Sequence, residues 1–255
     1  MSTPHDPFSH DAIGEDGAPD RDGVGVLLVH GFSGSPVSMR PWAQRLADEG
    51  FTVRLPLLPG HGTSWQDANR TTFDDWLAHV TAALADLRER CRTVVVGGQS
   101  MGGTLTLRLA ELHSSALAGI VLVNPSVLTR RWDAPFSWVI KYVSPSYPGI
   151  ADDIAKPGVT ELGYSRVPVR AFDSLRRAWP AVRRDLGRVT VPVLLLHSTV
   201  DHVVEPENSA VILAAISSTD VTEILLENSY HLATLDNDAE VIFDESVKFI
   251  RRVTG

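Results

Sequence analysis

The chain has 255 residues, 44% of them hydrophobic, and a formal net charge of −8 at pH 7. This length suits a single α/β domain with a large core and leaves room for one insertion. The acidic balance, without basic runs longer than two residues, disfavours nucleic acid and anionic membranes as partners. No apolar stretch reaches the roughly 18 residues of a membrane span, so we expect no stable membrane anchor. The single cysteine, Cys91, excludes a disulfide within the chain, and a cytoplasmic location is the default expectation.

The N-terminal region, residues 1–22, is rich in acidic residues and lacks the apolar segment of a signal peptide. We expect a flexible, solvated tail there. The continuous apolar run at residues 24–29 predicts a parallel strand that is covered on both faces. The turn after it, residues 30–35, has two interpretations. It is an ordinary Gly-rich turn in which His30 makes structural hydrogen bonds, or a loop whose Phe32 backbone N–H faces an oxyanion.

Helix and strand signals then alternate. Ser35-Pro36 predicts a helix start with proline at the first helical position, and residues 51–56 predict a short strand. The turn that follows this strand contains His61, for which we expect a structural rather than a catalytic role.

The clearest helix of the sequence begins after Thr72. Thr72 can cap it, and Asp75 three residues on makes the pair a variant of the capping box. The apolar residues that follow recur at helical spacing and predict a buried stripe. They are Phe73, Trp76, Leu77, Val80, Leu84 and Leu87.

A glycine-rich turn separates the strand predicted at residues 93–96 from the helix predicted at residues 101–113. Residues 98–102 read G-Q-S-M-G, which is G-x-S-x-G between a strand and a helix. This is the context of a nucleophile elbow. The elbow raises Ser100 above the sheet on a strained backbone, and glycines two residues away avoid a collision. The alternative is an ordinary serine in a Gly-rich turn, so the rest of the chain must supply catalytic partners.

The regular pattern breaks between the strands predicted at residues 119–123 and 191–197. Residues 126–188 combine prolines with short apolar runs and show no long helical periodicity. An insertion here would cover Ser100 as a cap with an apolar acyl pocket, and the alternative is a compact loop–helix region with its own small core. The same apolar side chains would serve either arrangement: Phe136, Trp138, Val139, Ile140, Tyr142, Val143 and Ile150.

Strand and helix signals alternate again towards the end of the chain, with a last strand at residues 221–226 and a closing helix at residues 237–253. This alternation predicts a doubly wound, mainly parallel sheet. Active sites of such sheets lie at the carboxyl ends of the strands. The loops predicted at that edge carry Ser100, Asp201 and His231.

These three residues occur in the chain order that a nucleophile elbow requires. A serine hydroxyl needs a neutral imidazole to take its proton, and a carboxylate must orient that imidazole and offset its charge. Glu205 is a rival for the acid and His202 a rival for the base, although the position just past the strand end favours Asp201. We therefore predict Ser100, Asp201 and His231 as catalytic residues, with no metal and no organic cofactor.

The motifs together resemble the α/β-hydrolase superfamily and, within it, bacterial monoacylglycerol lipases and related small carboxylesterases. The resemblance covers residues 24–252. It implies an α/β-hydrolase fold, with a mainly parallel sheet of about six or seven strands, helices on both faces and a small cap insertion. The domains would be a flexible acidic tail at 1–22, a core at 23–125 and 189–255, and a cap at 126–188. The matching motifs lie at residues 30–36, 60–63, 70–73, 98–102, 201–204 and 228–231.

The resemblance implies further site residues. The backbone N–H groups of Phe32 and Met101 would form the oxyanion hole. Two features depart from the family pattern: the acidic tail, and Gln99 before the nucleophile, where such lipases often have Leu or His. Gln99 leaves the chain-length and isomer preference open.

Within the cap, the resemblance implies two substrate-binding residues. Glu161 would bind the glycerol hydroxyls of the substrate, and Ile150 would contact the substrate through its apolar side chain. The alternative for Glu161 is a carboxylate that is merely solvated, or paired with Arg166 or Arg170.

The function expected from these features is a serine hydrolase acting on monoacylglycerols or similar short- to medium-chain esters. Its partner would be a small amphiphilic ester. A thioesterase or acyltransferase with the same triad, a general carboxylesterase, and a non-catalytic binding protein on this fold stay open, because fold-level analogy does not separate them.

Overall fold

The computed structural model describes residues 4–14, 17–130, 144–149, 152–161 and 163–255. The strands are β1 (Phe8–His10), β2 (Val24–Val29), β3 (Thr52–Leu55), β4 (Thr93–Gln99), β5 (Gly119–Val123), β6 (Ser146–Pro148), β7 (Arg166–Pro168), β8 (Val193–Ser198) and β9 (Val221–Leu226). The α-helices are α1 (Arg40–Asp48), α2 (Trp65–Ala68), α3 (Phe73–Arg90), α4 (Met101–His113), α5 (Val169–Asp185), α6 (Glu207–Ala215) and α7 (Ala239–Thr254). Short 3-10 helices lie at Pro36–Met39, Ser114–Ala116, Leu186–Arg188 and Ala233–Leu235.

Within these described ranges, seven strands form one sheet in the order β1-β3-β2-β4-β5-β8-β9, and β6 and β7 form a separate antiparallel pair. All strands of the large sheet are parallel except β1, which confirms the mainly parallel sheet expected from the sequence. The register pairs Gln99 with Val123 and Val123 with Leu196. The carboxyl ends of β4, β5 and β8 are therefore aligned, and the loops that leave them meet at one edge.

Both faces of the sheet are buried. On β4, Val94 and Val96 pack into a core with α3, α4 and α5, whereas Val95 packs into a second core with α1 and α7. Because neither face meets water, the central strands are continuous apolar runs rather than alternating ones.

Helix α3 begins as the sequence predicted. The Thr72 hydroxyl accepts a hydrogen bond from Asp75 N, and the Asp75 carboxylate accepts one from Thr72 N, which completes the capping box. Across the part of the chain that the structure describes, no helix is long and apolar enough to cross a membrane.

The N-terminal region differs from the solvated tail expected at residues 1–22. Phe8–His10 form β1, which is antiparallel to β3 with Phe8 opposite Leu55. The Arg54 guanidinium on β3 donates a hydrogen bond to His10 O at 3.0 Å and forms a salt bridge with Asp11. The Asp11 carboxylate of this segment thus forms an ion pair with the body of the protein, and β1 supplies hydrogen-bond partners to β3.

Residues 126–188 also differ from expectation, because they contain the 17-residue helix α5. The apolar residues Leu175, Trp179 and Val182 of this helix join the core that covers α4. Pro180 lies inside the helix and conceals its periodicity in the sequence. The boundaries of the cap stay a prediction. The apolar residues expected to line it, Phe136, Trp138, Val139, Ile140, Tyr142, Val143 and Ile150, lie outside the described residues.

Candidate active site

Ser100 lies in the sharp turn between β4 and α4, with φ 56° and ψ −118°. A Cβ atom at Gly98 would lie 2.2 Å from Gly102 O, and one at Gly102 would lie 1.9 Å from Val29 O. Only glycine fits at these two positions, as the elbow motif predicted. The strained backbone at Ser100 is held by hydrogen bonds from Ser100 N to Val123 O at 3.0 Å and from Ser126 N to Ser100 O at 3.2 Å.

Asp201 and His231 form a buried hydrogen-bonded pair. His231 Nδ1 lies 2.8 Å from Asp201 Oδ2, and the side chains are 7% and 2% exposed. Asp201 Oδ1 accepts hydrogen bonds from Val203 N at 2.8 Å and Val204 N at 2.7 Å. The carboxylate is therefore fixed by its own loop and oriented towards the imidazole, with the proton assigned to Nδ1.

The two rivals considered for this pair have other partners. Glu205 Oε1 accepts a hydrogen bond from Arg130 N at 2.9 Å. His202 Nδ1 lies 2.7 Å from the carboxylate of Asp153. The structure thus brings Asp201, rather than Glu205, to the His231 ring.

The electrostatic environment of His231 favours its protonated form. Burial alone lowers the pKa of His231, but the nearby carboxylates of Asp201, Asp153 and Glu161 more than offset this effect. The pKa of His231 is raised above 6.5 as a result.

The backbone of His231 is supported from the sheet. The side-chain amides of Gln99 and Asn124 each donate a hydrogen bond of 2.9 Å to His231 O. Gln99 Oε1 in turn accepts a hydrogen bond from Thr234 Oγ1 at 2.7 Å. The sequence singled out Gln99 only as a departure near the substrate, and it carried no signal for the role of Asn124.

The loop after β2 lies against the nucleophile. A Cβ atom at Gly31 would lie 3.5 Å from Ser100 Cβ, and Phe32 lines the same cavity as Ser100. Met101 is the first residue of α4, so its backbone N–H is at the N-terminus of that helix. Both predicted oxyanion donors are thus at the edge of the sheet where Ser100 lies.

Two buried histidines, His30 and His61, contact the loop after β2. His30 Nε2 accepts a hydrogen bond from Leu58 N at 3.1 Å, and its Nδ1 donates one to Gly31 O at 2.9 Å. Burial lowers the pKa of His30 to about 3 and that of His61 to about 4, so both rings are neutral. The His61 ring contacts His30 and Phe32 edge-on. The structural roles considered for both residues agree with these contacts.

Glu161 lines the same cavity as Ser100. A Cβ atom at Gly34 would lie 2.7 Å from Glu161 Oε1, and one at Gly163 would lie 3.2 Å from Oε2, so these glycines make room for the carboxyl group. Burial raises the pKa of Glu161 to about 7, although His231 and a hydrogen bond with Ser38 act in the opposite direction.

The arginines considered as partners of Glu161 have no such role in the structure. The guanidinium of Arg166 donates hydrogen bonds to Ser146 Oγ and Ser146 O. Among the described residues, the groups that act on the Glu161 carboxyl are His231, Ser38 and Asp152, and no salt bridge joins it to Arg166 or Arg170.

A cavity of about 370 Å³ connects these groups. Ser100, Asp201, His231 and Glu161 are among the polar residues that line it. Apolar residues of β7, of α5 and of the loops after β5 and β8 line it as well: Leu128, Val167, Phe172, Leu175, Trp179, Val203 and Val204. A reacting group at Ser100 thus lies in a cavity with both polar and apolar side chains.

The profile of the family described as serine aminopeptidase, S33, matches residues 22–238. The chain belongs to the serine aminopeptidase S33 family. One relative of this chain is a thermostable monoacylglycerol lipase from Bacillus sp. (strain H-257). The two are 42% identical over 240 residues, which cover 91% of this chain and 92% of the relative. The resemblance to bacterial monoacylglycerol lipases is therefore confirmed.

Solved structures place the S33 chain in the α/β-hydrolase fold. A structure reported for the metagenome-derived lipolytic enzymes LipS and LipT superposes with a TM-score of 0.92 at 38% identity and covers 99% of each chain. A monoacylglycerol lipase from Paleococcus ferrophilus shares the fold with a TM-score of 0.78 at 19% identity, covering 97% of this chain and 99% of that one. The fold class predicted from the sequence is confirmed.

Proposed function

We propose that this protein hydrolyses monoacylglycerols, or carboxylic esters of similar size, to a fatty acid and an alcohol through an acyl-enzyme on Ser100. The observation that carries the proposal is the buried Asp201–His231 hydrogen bond of 2.8 Å at a cavity that Ser100 also lines. A serine on a strained strand-to-helix turn, beside such a pair, is the arrangement that serine hydrolases use to activate a hydroxyl.

Acylation starts with His231 neutral. The free ring nitrogen takes the proton of Ser100 Oγ as this oxygen attacks the ester carbonyl carbon. The Phe32 and Met101 N–H groups stabilise the oxyanion of the tetrahedral intermediate. The imidazolium, stabilised by Asp201, then protonates the leaving alcohol oxygen as the ester C–O bond breaks.

Deacylation repeats these steps with water. His231 removes a proton from a water molecule, the resulting hydroxide attacks the acyl carbon, and the second tetrahedral intermediate collapses. The bond to Ser100 Oγ breaks, Oγ regains a proton from His231, and the fatty acid is released. Acylation and deacylation together consume one ester and one water molecule, and they require no redox step and no external group donor.

The mixed polar and apolar lining of the cavity supports a monoacylglycerol as substrate. The apolar side chains of α5 suit an acyl chain, and the Glu161 carboxyl suits the two free hydroxyls that remain on the glycerol. Residues 126–188 would act as the cap over this cavity, with α5 serving the cap and the core together. The similarity to a bacterial monoacylglycerol lipase supports the same substrate class.

The test combines a covalent label with a substrate panel. A fluorophosphonate should label the protein but not its Ser100→Ala variant. Activity should then be compared on mono-, di- and triacylglycerols of varied chain length, on acyl thioesters, and on an amino-acid p-nitroanilide. The proposal requires the highest kcat/KM on monoacylglycerols. Higher activity on the thioester or the anilide would support a thioesterase or an aminopeptidase, and labelling without any turnover would support a binding role.

We also propose a cytoplasmic location without a nucleic-acid partner. The net charge of −8 disfavours binding to polyanions, and a single cysteine is typical of a reducing compartment. Cell fractionation and a nucleic-acid binding assay at low salt test these two statements.

A further inference from the structure

Asp153 lies in the proposed cap and contacts both loops that carry the proposed acid and base. Its Oδ2 atom accepts hydrogen bonds from the backbone N–H groups of His202 and His231, each at 3.1 Å. Its Oδ1 atom lies 2.7 Å from His202 Nδ1, and its carbonyl oxygen accepts a hydrogen bond from Leu232 N at 3.1 Å. Asp153 is 9% exposed and lines the cavity. One side chain therefore joins the cap to the loops after β8 and β9.

A second carboxylate makes the reciprocal contact. Asp236, beside the loop after β9, accepts hydrogen bonds from the backbone N–H groups of Ala155 at 2.7 Å and Lys156 at 2.8 Å. It also accepts one from Tyr230 N at 2.9 Å. Asp236 is 2% exposed. The cap segment at residues 152–161 is thus tied to the loop after β9 by one buried carboxylate from each side.

We propose that Asp153 is a positioning residue, which aligns His231 with Asp201 and places a negative charge beside the imidazole. The proposal rests on the proposed role of His231 as the catalytic base. Its geometric basis is that the same carboxylate oxygen binds the N–H of His231 and the N–H of the residue after Asp201. A shared acceptor of this kind fixes the separation of the two loops, and with it the position of the Asp201 carboxylate relative to the His231 ring.

The charge of Asp153 also acts on the proton affinity of His231. The titratable groups around His231 are Asp201, Asp153 and Glu161, with His202 bound to Asp153. Burial lowers the pKa of His231, and the three carboxylates together raise it above 6.5. Towards His231, Asp153 differs from Asp201 because its Oδ2 atom binds the backbone N–H of this residue rather than an imidazole nitrogen. Its contribution to the pKa can therefore be removed without breaking the Asp201–His231 hydrogen bond.

The experiment compares Asp153→Asn, which keeps the shape and one acceptor oxygen, with Asp153→Ala. Asp236→Asn is the matched control, because it makes the same chemical change in the carboxylate that binds backbone N–H groups on the other side. The readout is kcat/KM for a p-nitrophenyl ester between about pH 5 and 9, where the acid limb reports the protonation of the base in the free enzyme.

We expect Asp153→Asn to move the midpoint of the acid limb down by about half a pH unit or more, because the imidazolium loses a neighbouring negative charge. Asp153→Ala should lower kcat by about 100-fold, since a misplaced catalytic group costs this much. Asp236→Asn should lower the melting temperature and leave the midpoint within about 0.2 units.

An unchanged midpoint and kcat in Asp153→Asn would overturn the proposal, as would an equal shift in Asp236→Asn. If Asp153→Ala does not fold, as judged by circular dichroism, the nearly isosteric Asn variant decides alone. A His231→Ala variant distinguishes a failure of the proposed function from a failure of the role proposed for Asp153. If it keeps substantial activity, the proposed function fails; if it is inactive while Asp153→Asn behaves as wild type, only the role of Asp153 fails.

Discussion

The side-chain amide of Gln99 donates a hydrogen bond of 2.9 Å to the carbonyl oxygen of His231. The residue before the proposed nucleophile thus holds the backbone of the proposed base, although the two are 132 positions apart. Gln99 is 2% exposed, and its side-chain oxygen Oε1 accepts a hydrogen bond from the Thr234 hydroxyl. Its side chain is consequently fixed at both ends, which makes it a structural link between the elbow and the histidine loop.

Replacement of Gln99 should therefore affect turnover more than substrate binding. In Gln99→Glu, an acceptor would face the His231 carbonyl oxygen, and kcat should fall about tenfold or more because the base is displaced. Gln99→Leu removes the hydrogen bond without this repulsion, so its loss should be smaller. Steady-state kinetics over a series of acyl chain lengths measures both effects. A change in chain-length preference with unaltered kcat would instead assign Gln99 to substrate binding.

Ser100→Ala should abolish ester hydrolysis while the protein stays folded. Loss of the nucleophile from a serine hydrolase costs on the order of 10⁶ in kcat. The substitution leaves the backbone strain at φ 56° unrelieved, so we expect only a small change in melting temperature. Hydrolysis of a p-nitrophenyl ester and thermal melting provide the two measurements. Retention of more than about a hundredth of the wild-type activity would contradict the assignment of Ser100.

Asp201→Asn and His202→Ala should differ sharply, although the two residues are adjacent. The asparagine would impose the wrong tautomer on His231, and the cost is about 10⁴ in kcat if the triad template applies. His202 bonds to Asp153 rather than to the base, so its removal should cost no more than about tenfold. The kcat values of both variants on one ester give the ranking. The reverse order would show that the roles in this loop are misassigned.

Glu161→Ala should discriminate between substrates. Above the raised pKa of Glu161, a hydrogen bond from a glycerol hydroxyl to its ionised carboxylate is worth about 1.5–3 kcal/mol, so kcat/KM for monoacylglycerol should fall about 10- to 100-fold. A simple p-nitrophenyl ester has no such hydroxyl and should lose only a few-fold. Parallel assays on the two substrates make this comparison. Equal losses on both would indicate that Glu161 supports the cap, and no loss on either would remove it from the site.

Glu111 on α4 should make stability depend on pH. Its side chain is fully buried with Oε1 lacking a hydrogen-bond partner among the described residues, and burial raises its pKa to about 7 despite the salt bridge with Arg108. The folded state therefore holds a proton that the unfolded state releases, and stability falls as pH rises from about 4.5 to 7.

The Glu111→Gln variant removes this titration. The free energy of unfolding of the variant minus that of the wild type should therefore rise by about 1–3 kcal/mol between pH 5 and pH 8, because only the wild type loses stability as Glu111 ionises. Urea unfolding at the two pH values measures the difference. If the variant and the wild type differ by the same free energy of unfolding at pH 5 and at pH 8, Glu111 does not titrate between these values.

The sequence predicts features that a few neighbouring residues determine. The Thr72–Asp75 capping box and the elbow at Ser100 are of this kind, since the residues concerned are within one turn of each other. The Asp201–His231 pair is a longer-range case. It could be predicted because parallel topology brings the carboxyl ends of neighbouring strands together, and chain order assigns the roles.

The supporting contacts of the site could not be predicted in the same way. Asp153, Gln99 and Asn124 each bind the backbone of His231, at separations of 78, 132 and 107 positions. A polar side chain in the sequence does not specify which distant N–H or C=O group it will bind. Similarly, the acidic N-terminal residues gave no indication that Arg54, more than 40 positions away, would pair with them.

Strand β1 has a consequence for how the protein can be handled. Because Phe8–His10 cover the outer edge of β3, an N-terminal truncation through residue 12 would leave the backbone amides and carbonyls of that edge without their partners. Bare sheet edges readily recruit strands from other molecules. Shortened forms of this hydrolase are therefore prone to self-association even if the catalytic residues are untouched, and any fusion at the N-terminus has to leave this short segment free to dock.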